Sequence, residues 1–502
     1  MLQQNHTEDE LLNPALHHFK RAAREVAKHG DNDTLPFDLD VRFCGDMADP
    51  LAAIAFGFFN ELKAGPLKEN HERIAALPIW SERMVAPSGP AGFRVVTKMH
   101  PFWNIYLNGL AISIAEALEP HRVTTVYSYR FLPAGEEVLF DETRSWRAFK
   151  EATVASANAA GTDAVIVQTD ISSFYEHVSH YYIQNCISAL DDGNVQIANQ
   201  INALLSRLFA GRSFGLPVGG QGARILAELF LHQIDMALSS NGVQWYRYVD
   251  DYILVAANTA EAYRALGVLA QSLMDYGLAL NKSKSVFLSS KHYQDYVRAQ
   301  LGSDDDEVAT LRTIDLKFDP YSDSPRDDYE SLKDTVETLE VRHLLARELE
   351  KALPDNFLVA QISRTMPLHE PSAALEIATT LLGKENLHAF RSSFSTIMRG
   401  FAHLRSNPNF DSIFGPLDAL MDDVPTHSGH LLKADTNLLH YLRCLRFAST
   451  TKRAQFVRST VCGWASHIES MQMIRHRPHE GDRGDDESNI DSRATPAARV
   501  QR

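Results

Sequence analysis

At 502 residues the chain is long enough for two or three domains, each with its own core. Its 44% hydrophobic and 23% charged residues are those of a folded globular protein and exclude a wholly disordered one. A formal net charge of −15 argues against a protein that coats a long nucleic acid, because phosphate binding relies on clustered Lys and Arg. A basic channel inside an acidic surface, or a grip on only a short stretch, stays compatible with it. No run of about 18 apolar residues predicts a membrane span. Cys44, Cys186, Cys444 and Cys462 lack CxxC spacing and predict buried free thiols in a reducing compartment. The opening Met1-Leu2-Gln3-Gln4 carries no basic-then-apolar signal, so the expected location is cytoplasmic.

Residues 1–160 read as helices with loops. Leu11, Leu16 and Phe19 begin an amphipathic segment, Leu51 to Leu62 is an apolar helix, and Pro101 to Leu118 is another. Val123 to Leu132 and Val138 to Phe140 read as two short strands around a Pro133-Ala134-Gly135 turn. Residues 161–300 alternate strand and helix patterns. Ala164-Val165-Ile166-Val167-Gln168-Thr169-Asp170 is an apolar run ending in a carboxylate. Gly215-Leu216-Pro217-Val218-Gly219-Gly220 is a flexible loop feeding a helix. Trp245 to Ala256 reads as a hairpin with Asp250 and Asp251 at its tip. Thr259 to Tyr276 reads as a helix, followed by a turn and strand from Gly277 to Ser285. Residues 301–475 turn to helices separated by Pro, Gly or Asn, without a clean repeat period. Residues 476–502 have almost no apolar side chains and predict a disordered tail.

Two adjacent acids repel by roughly 4 kcal/mol at about 4 Å and an effective dielectric near 20, so in a concave site they need a cation. An isolated Asp-Asp pair is usually a solvated turn, and an isolated strand-end Asp usually caps the next helix. Here a strand-end acid, a Gly-Pro loop with its helix and an Asp-Asp hairpin follow one another along the chain. That order resembles the palm of right-hand polymerases, and Tyr248-Val249-Asp250-Asp251 resembles the YxDD box of reverse transcriptases. The resemblance implies an α+β right hand of fingers, palm with antiparallel sheet and short thumb, followed by an α-helical, HEAT-like C-terminal domain. It implies an RNA-directed DNA polymerase that joins deoxynucleotides through two Mg2+ ions, with Mn2+ as a substitute.

The same resemblance assigns residues. Asp170, Asp250 and Asp251, with Ile171, are the metal set, because hard cations take carboxylate oxygens. Tyr175 matches the aromatic gate that disfavours a 2′-hydroxyl; packing in the core is the plainer role for an aromatic. Gly215, Pro217 and Gly219 let the backbone approach the nascent base pair, and Val218 stands where many relatives carry Gln. Lys284 matches the lysine that protonates or screens pyrophosphate, with Lys282 competing and a solvated loop as the alternative. Arg130 resembles the arginine that braces the triphosphate; a surface salt bridge is the alternative. Arg224 and Glu228 read as structural, an ion pair with the palm. His17, His18, His177 and His180 show no metal spacing and read as solvated helix residues.

The acidic chain with its YVDD box and helical C-terminal region resembles the bacterial abortive-infection and defence-associated reverse transcriptases, the AbiK kind among them. That implies antiphage function, template-independent or protein-primed DNA synthesis, a trimer or hexamer, and an RNA template or non-coding RNA partner. Tyr321, Tyr329 and Tyr441 are candidate priming hydroxyls. The alternatives are a retron or group II intron enzyme, and an inactive RNA-binding scaffold.

Overall fold

Val165-Ile166-Val167 and Ile253-Leu254-Val255 are continuous apolar runs, the pattern of strands covered on both faces. In the computed structural model they lie side by side. The structure describes residues 12–30, 39–89, 92–133, 138–190, 195–301, 306–313, 332–336, 339–351 and 353–460. These fall in two compact units, Met1–Ala448 and Ser449–Arg502. The second is described only over residues 449–460, with a helix at 451–460.

The first unit contains two sheets among its described residues. Strands β1 (Ser81–Ser88) and β2 (Gly92–Met99) form a hairpin. Strands β3 (Val165–Asp170), β4 (Gln244–Tyr248), β5 (Asp251–Ala256) and β6 (Val286–Ser289) form an antiparallel sheet in the order β4-β5-β3-β6. Its side chains alternate between two cores, as the two-residue period of a strand requires. Ile166, Ile253 and Val255 face Phe149 and Ala157 of helix Trp146–Ala159, and Tyr293 and Val297 of helix Ser290–Leu301. Val167, Tyr252 and Leu254 face the larger core, built with helices Pro101–Leu118, Gln221–Ser240 and Thr259–Asp275. The last starts where Asn258 caps it, its side chain accepting from Glu261 N at 3.0 Å.

The segment Val123 to Leu132 corrects the expected pair of strands. Tyr129 takes a left-handed backbone, φ 46°, which ends any extended run. What remains is a single parallel bridge, Val126 with Arg247, and a single antiparallel one, Phe131 with Phe140. The hairpin ahead of the four-stranded sheet is instead β1–β2, in a stretch for which the sequence offered only helices with loops.

C-terminal to the sheet, helices Val341–Leu349, Asn356–Thr365, Pro371–Leu382, Phe394–Ser406, Phe414–Ser428 and Asp435–Leu445 bury their apolar stripes against one another, with Phe390, Phe394 and Phe401 fully enclosed. Tyr441 is buried and its hydroxyl donates to Met421 O at 3.0 Å, which removes it from the accessible hydroxyls. Tyr321, Tyr329, Cys462 and the expected tail lie outside the described residues. Cys44, Cys186 and Cys444 are buried. Among the described residues no helix is long and apolar enough to cross a membrane.

A buried ionic cluster fixes the β4–β5 hairpin from beneath. Arg247 on β4 has no exposed surface. Its guanidinium donates to Asp235 at 2.6 and 2.9 Å and to Glu228 at 2.9 and 3.2 Å, and its Nη1 reaches Val249 O at 3.0 Å. Arg122 adds a second cation, donating to Glu228 at 2.6 Å and to the carbonyls of Ser128 and Tyr129. Burial raises the Glu228 carboxyl, but Arg247 and Arg122 outweigh it and hold the carboxyl below its ordinary value. Removing one member strands the other charges in a dry interior. Arg247→Met is therefore expected to lower unfolding free energy by about 3–5 kcal/mol, read as a fall in the urea midpoint; an unchanged midpoint would mean the cluster carries no such strain.

Candidate active site

The antiparallel register sets Asp170, the last residue of β3, directly opposite Asp251, the first residue of β5. Val249 and Asp250 are the two residues that connect β4 to β5, with Tyr248 paired to Asp251. Two-residue hairpin turns of the favoured hand need a positive φ, usually supplied by Gly or Asn. Here Val249 supplies it, at φ 55°, a strained choice for a β-branched residue. Arg247 holds the Val249 carbonyl and Ile171 N donates to Asp250 O at 3.3 Å, so the turn is pinned on both sides. Three acidic residues thereby share one end of two neighbouring strands.

Their electrostatics are unfavourable without a cation. Burial, then repulsion by Asp251 and Asp170, raises the Asp250 carboxyl to about 6, with Lys284 pulling the other way. The Asp251 carboxyl also rises, through desolvation first and then Asp170, against the pull of Lys150 and Lys284. Asp170 is 4% exposed; its Oδ2 accepts from Lys284 Nζ at 2.5 Å, and its Oδ1 is shielded from solvent with no hydrogen-bond partner. An orphaned carboxylate oxygen suits a hard divalent ion such as Mg2+, but the oxygens of the three acids do not all lie within 4.8 Å of one another, so an ion would have to draw them together.

A cleft of 440 Å³ opens over this cluster, lined among others by Asp170, Asp250, Lys284, Tyr175, Arg94 and Arg224. Tyr175 is half-buried, and burial lifts its hydroxyl well above the ordinary value. Its carbonyl accepts from Leu216 N at 2.8 Å, which ties it to the Gly-Pro loop. Gly219 lines the cleft at φ 144°, a conformation side chains rarely adopt. Gly215, at φ 105°, lies so close to Phe209 that a Cβ would come within 2.7 Å of the ring. Pro217 is buried and Ile171 lines the cleft floor. Val218 packs with Met84, Ala86 and Val96 of the β1–β2 hairpin, and its carbonyl accepts from Thr97 N at 2.8 Å. An apolar residue at that position thus has a packing reason.

Lys284, rather than Lys282, reaches an acid. Arg130 turns away from the cleft: its Nε pairs with Glu119 at 2.5 Å and its Nη1 donates to Val123 O and Val126 O. Glu228 is structural, through Arg247 and Arg122. Arg224 instead lines the cleft, its guanidinium 5.1 Å from the Tyr129 ring centroid. His18 is buried and hydrogen-bonded to Glu116 at 2.7 Å, and His180 is buried with Nε2 2.7 Å from Gly215 O, so neither is a solvated helix residue.

Sequence reasoning passed over three cations. Arg94 lies on the unforeseen β2. Arg247 shares the buried face of β4 with Trp245, two residues away, and that alternation was a usable signal. Lys150 is 4% exposed, its ammonium 5.3 and 5.4 Å from the ring centroids of Trp146 and Phe149, and burial lowers it to about 8. Its helical spacing with Phe149, Thr153 and Ala157 put a charge on the buried stripe.

The three carboxylates stand at one end of the sheet beneath a polar cleft. Residues 110–311, less than half of the chain, match the family model described as Reverse transcriptase (RNA-dependent DNA polymerase). The matched span contains Asp170, Asp250, Asp251 and Lys284 but neither β1–β2 nor the C-terminal helices. No curated protein matches the chain.

The raised Asp250 carboxyl has a stability consequence. Between its ordinary 3.8 and about 6, the folded state holds more proton than the unfolded state, so in metal-free buffer stability falls as pH rises through that window. Asp250→Asn is expected to be more stable than wild type by about 1 kcal/mol at pH 8 and equal to it near pH 3.5. Thermal melts in chelator check this; an equal difference at both pH values would contradict it.

Proposed function

We propose that the protein is an RNA-directed DNA polymerase of the bacterial defence-associated kind, joining deoxynucleotides by two-metal nucleotidyl transfer. The observation that carries the reading is the register of Asp170 opposite Asp251 with Asp250 in the adjoining turn. Asp170 and Asp250 would hold the two Mg2+ ions with Ile171, and Asp251 supports them. When bound, the ions supply Lewis-acid activation of the attacking 3′-oxygen and of the leaving oxygen. Lys284 holds its proton next to Asp170, kept cationic by that hydrogen bond, where it can screen or protonate pyrophosphate. Arg94 and Arg224 are the cleft's candidate triphosphate clamps, the role first given to Arg130, and the N-terminus of helix Gln221–Ser240 opens beside them. Tyr175 closes the sugar side against a 2′-hydroxyl.

A second hollow, of 140 Å³, shares Val95, Glu176 and Val218 with the cleft. It holds Arg83 over the Phe209 ring at 5.6 Å, Arg212 and the exposed Phe214. Cations beside aromatic faces suit a single-stranded template, which favours a basic groove within an acidic protein over a broad basic surface. Defence against phage, protein-primed or template-independent synthesis, an RNA partner and a trimeric or hexameric assembly rest on the sequence resemblance.

The test is incorporation of labelled deoxynucleotides with Mg2+, with and without an RNA template. Wild type is expected to extend. Asp170→Ala, Asp250→Asn and Asp251→Asn are each expected to lose at least about 100-fold while RNA binding persists. In the same assay Tyr175→Ala should admit ribonucleotides. An inactive wild type that still binds RNA would favour a scaffold, and full activity in any acid variant would break the metal assignment.

A further inference from the structure

The β1–β2 hairpin forms one wall of the cleft through Ser88, Phe93, Arg94 and Val95. A two-stranded ribbon is marginal alone, and its outer edge exposes unpaired backbone groups. In this protein that edge is occupied by the C-terminal helices. Val85 N donates to Asp435 Oδ2 at 3.0 Å, and Thr436 Oγ1 lies 3.4 Å from Val85 O. The first two residues of helix Asp435–Leu445 thus take both backbone groups of one strand residue, as a neighbouring strand would. At the hairpin's turn, Ser392 Oγ donates to Gly89 O at 2.7 Å and Arg391 Nη2 reaches the same carbonyl at 3.3 Å. Between these polar grips, Leu439 packs against Met84, Ala86 and Val96, whose cluster Val218 of the palm loop also joins.

We propose that the C-terminal helices are a fixed arm of the nucleotide site: Asp435, Thr436, Ser392 and Arg391 are positioning residues that hold the β1–β2 hairpin over the cleft and so set where Arg94 meets the incoming nucleotide's phosphates. The hairpin's apolar face, Met84, Ala86 and Val96, is covered jointly by Val218, which lines the cleft with the carboxylates, and by Leu439, more than two hundred residues later in the chain. The hairpin therefore cannot swing away from the cleft without breaking contacts with the C-terminal helices. The proposal rests on the polymerase reading for its nucleotide, but the grip itself does not. It also implies that residues 110–311 alone lack a wall of the site, and that a ligand bound on the C-terminal helices would be felt as a change in nucleotide affinity.

The experiment uses the full chain with Asp435→Ala, Ser392→Ala and the conservative Asp435→Asn, whose amide oxygen still accepts from Val85 N. Hydrogen exchange across residues 81–99 reads the grip, and deoxynucleotide KM against kcat reads positioning. Expected are at least tenfold faster exchange in the hairpin and about a tenfold rise in KM for Asp435→Ala, with kcat within twofold and both effects largely rescued by Asn. Ser392→Ala, the milder change, should move both in the same direction if Asp435→Ala folds poorly. Unchanged hairpin exchange overturns the grip, and faster exchange with unchanged KM overturns the positioning role. If wild type incorporates no deoxynucleotide, the polymerase reading and the nucleotide-positioning role fall together, and exchange alone decides the grip.

Discussion

Arg247 is a fully buried cation on a β-strand, one residue before the strand's end, and the geometry above it depends on its partners. A lone guanidinium there would cost many kcal/mol in desolvation. Asp235 and Glu228, one helix away, take four of its hydrogen bonds, and the fifth goes to Val249 O at the turn. Arg122 closes the charge balance against Glu228 while fastening Ser128 O and Tyr129 O. One cluster thus joins helix Gln221–Ser240, β4, the acid-bearing turn and the loop of Tyr129. Such a cluster adds little net stability compared with well-packed apolar residues, but it tolerates few alternative arrangements, which suits a site that must hold like charges together.

That holding is the second half of the account. Asp170, Asp250 and Asp251 oppose one another, Val249 sits in an unfavourable backbone region, and Tyr129 and Ser173, also lining the cleft, share that left-handed conformation. Strain and repulsion gathered at one cleft, and supported from beneath, are the usual marks of a site preorganised for a ligand. The acidic composition fits the same picture, because the cations are placed individually: Lys284 on Asp170, Lys150 behind Asp251, Arg94 and Arg224 on the walls. A protein of net charge −15 can then handle phosphate locally without a basic exterior.

Much of the four-stranded sheet was legible. Apolar runs ending in acids marked β3 and the β4–β5 hairpin, and Pro101–Leu118 emerged with both ends as read, since Pro at the first turn is a strong start signal. The β1–β2 hairpin was not legible. Ser81-Glu82-Arg83-Met84-Val85-Ala86-Pro87-Ser88 has charges at its start and a proline near its end, which argue against a strand by local rules. It becomes one because Val218 and Leu439, distant in sequence, cover its apolar face. Arg130 was misplaced for a related reason: position along the chain suggested a phosphate, whereas Glu119, eleven residues earlier, claims the guanidinium. Pairings made across the fold leave no local periodicity to read.

Electron paramagnetic resonance with Mn2+ tests the central claim most directly, since it counts bound ions without requiring catalysis. Wild type with a bound deoxynucleotide analogue should hold two Mn2+ ions whose spins couple, and Asp170→Ala should lose the coupled pair while remaining folded. Two coupled ions that survive the loss of Asp170, or no specific Mn2+ at all, would contradict the shared-ion geometry.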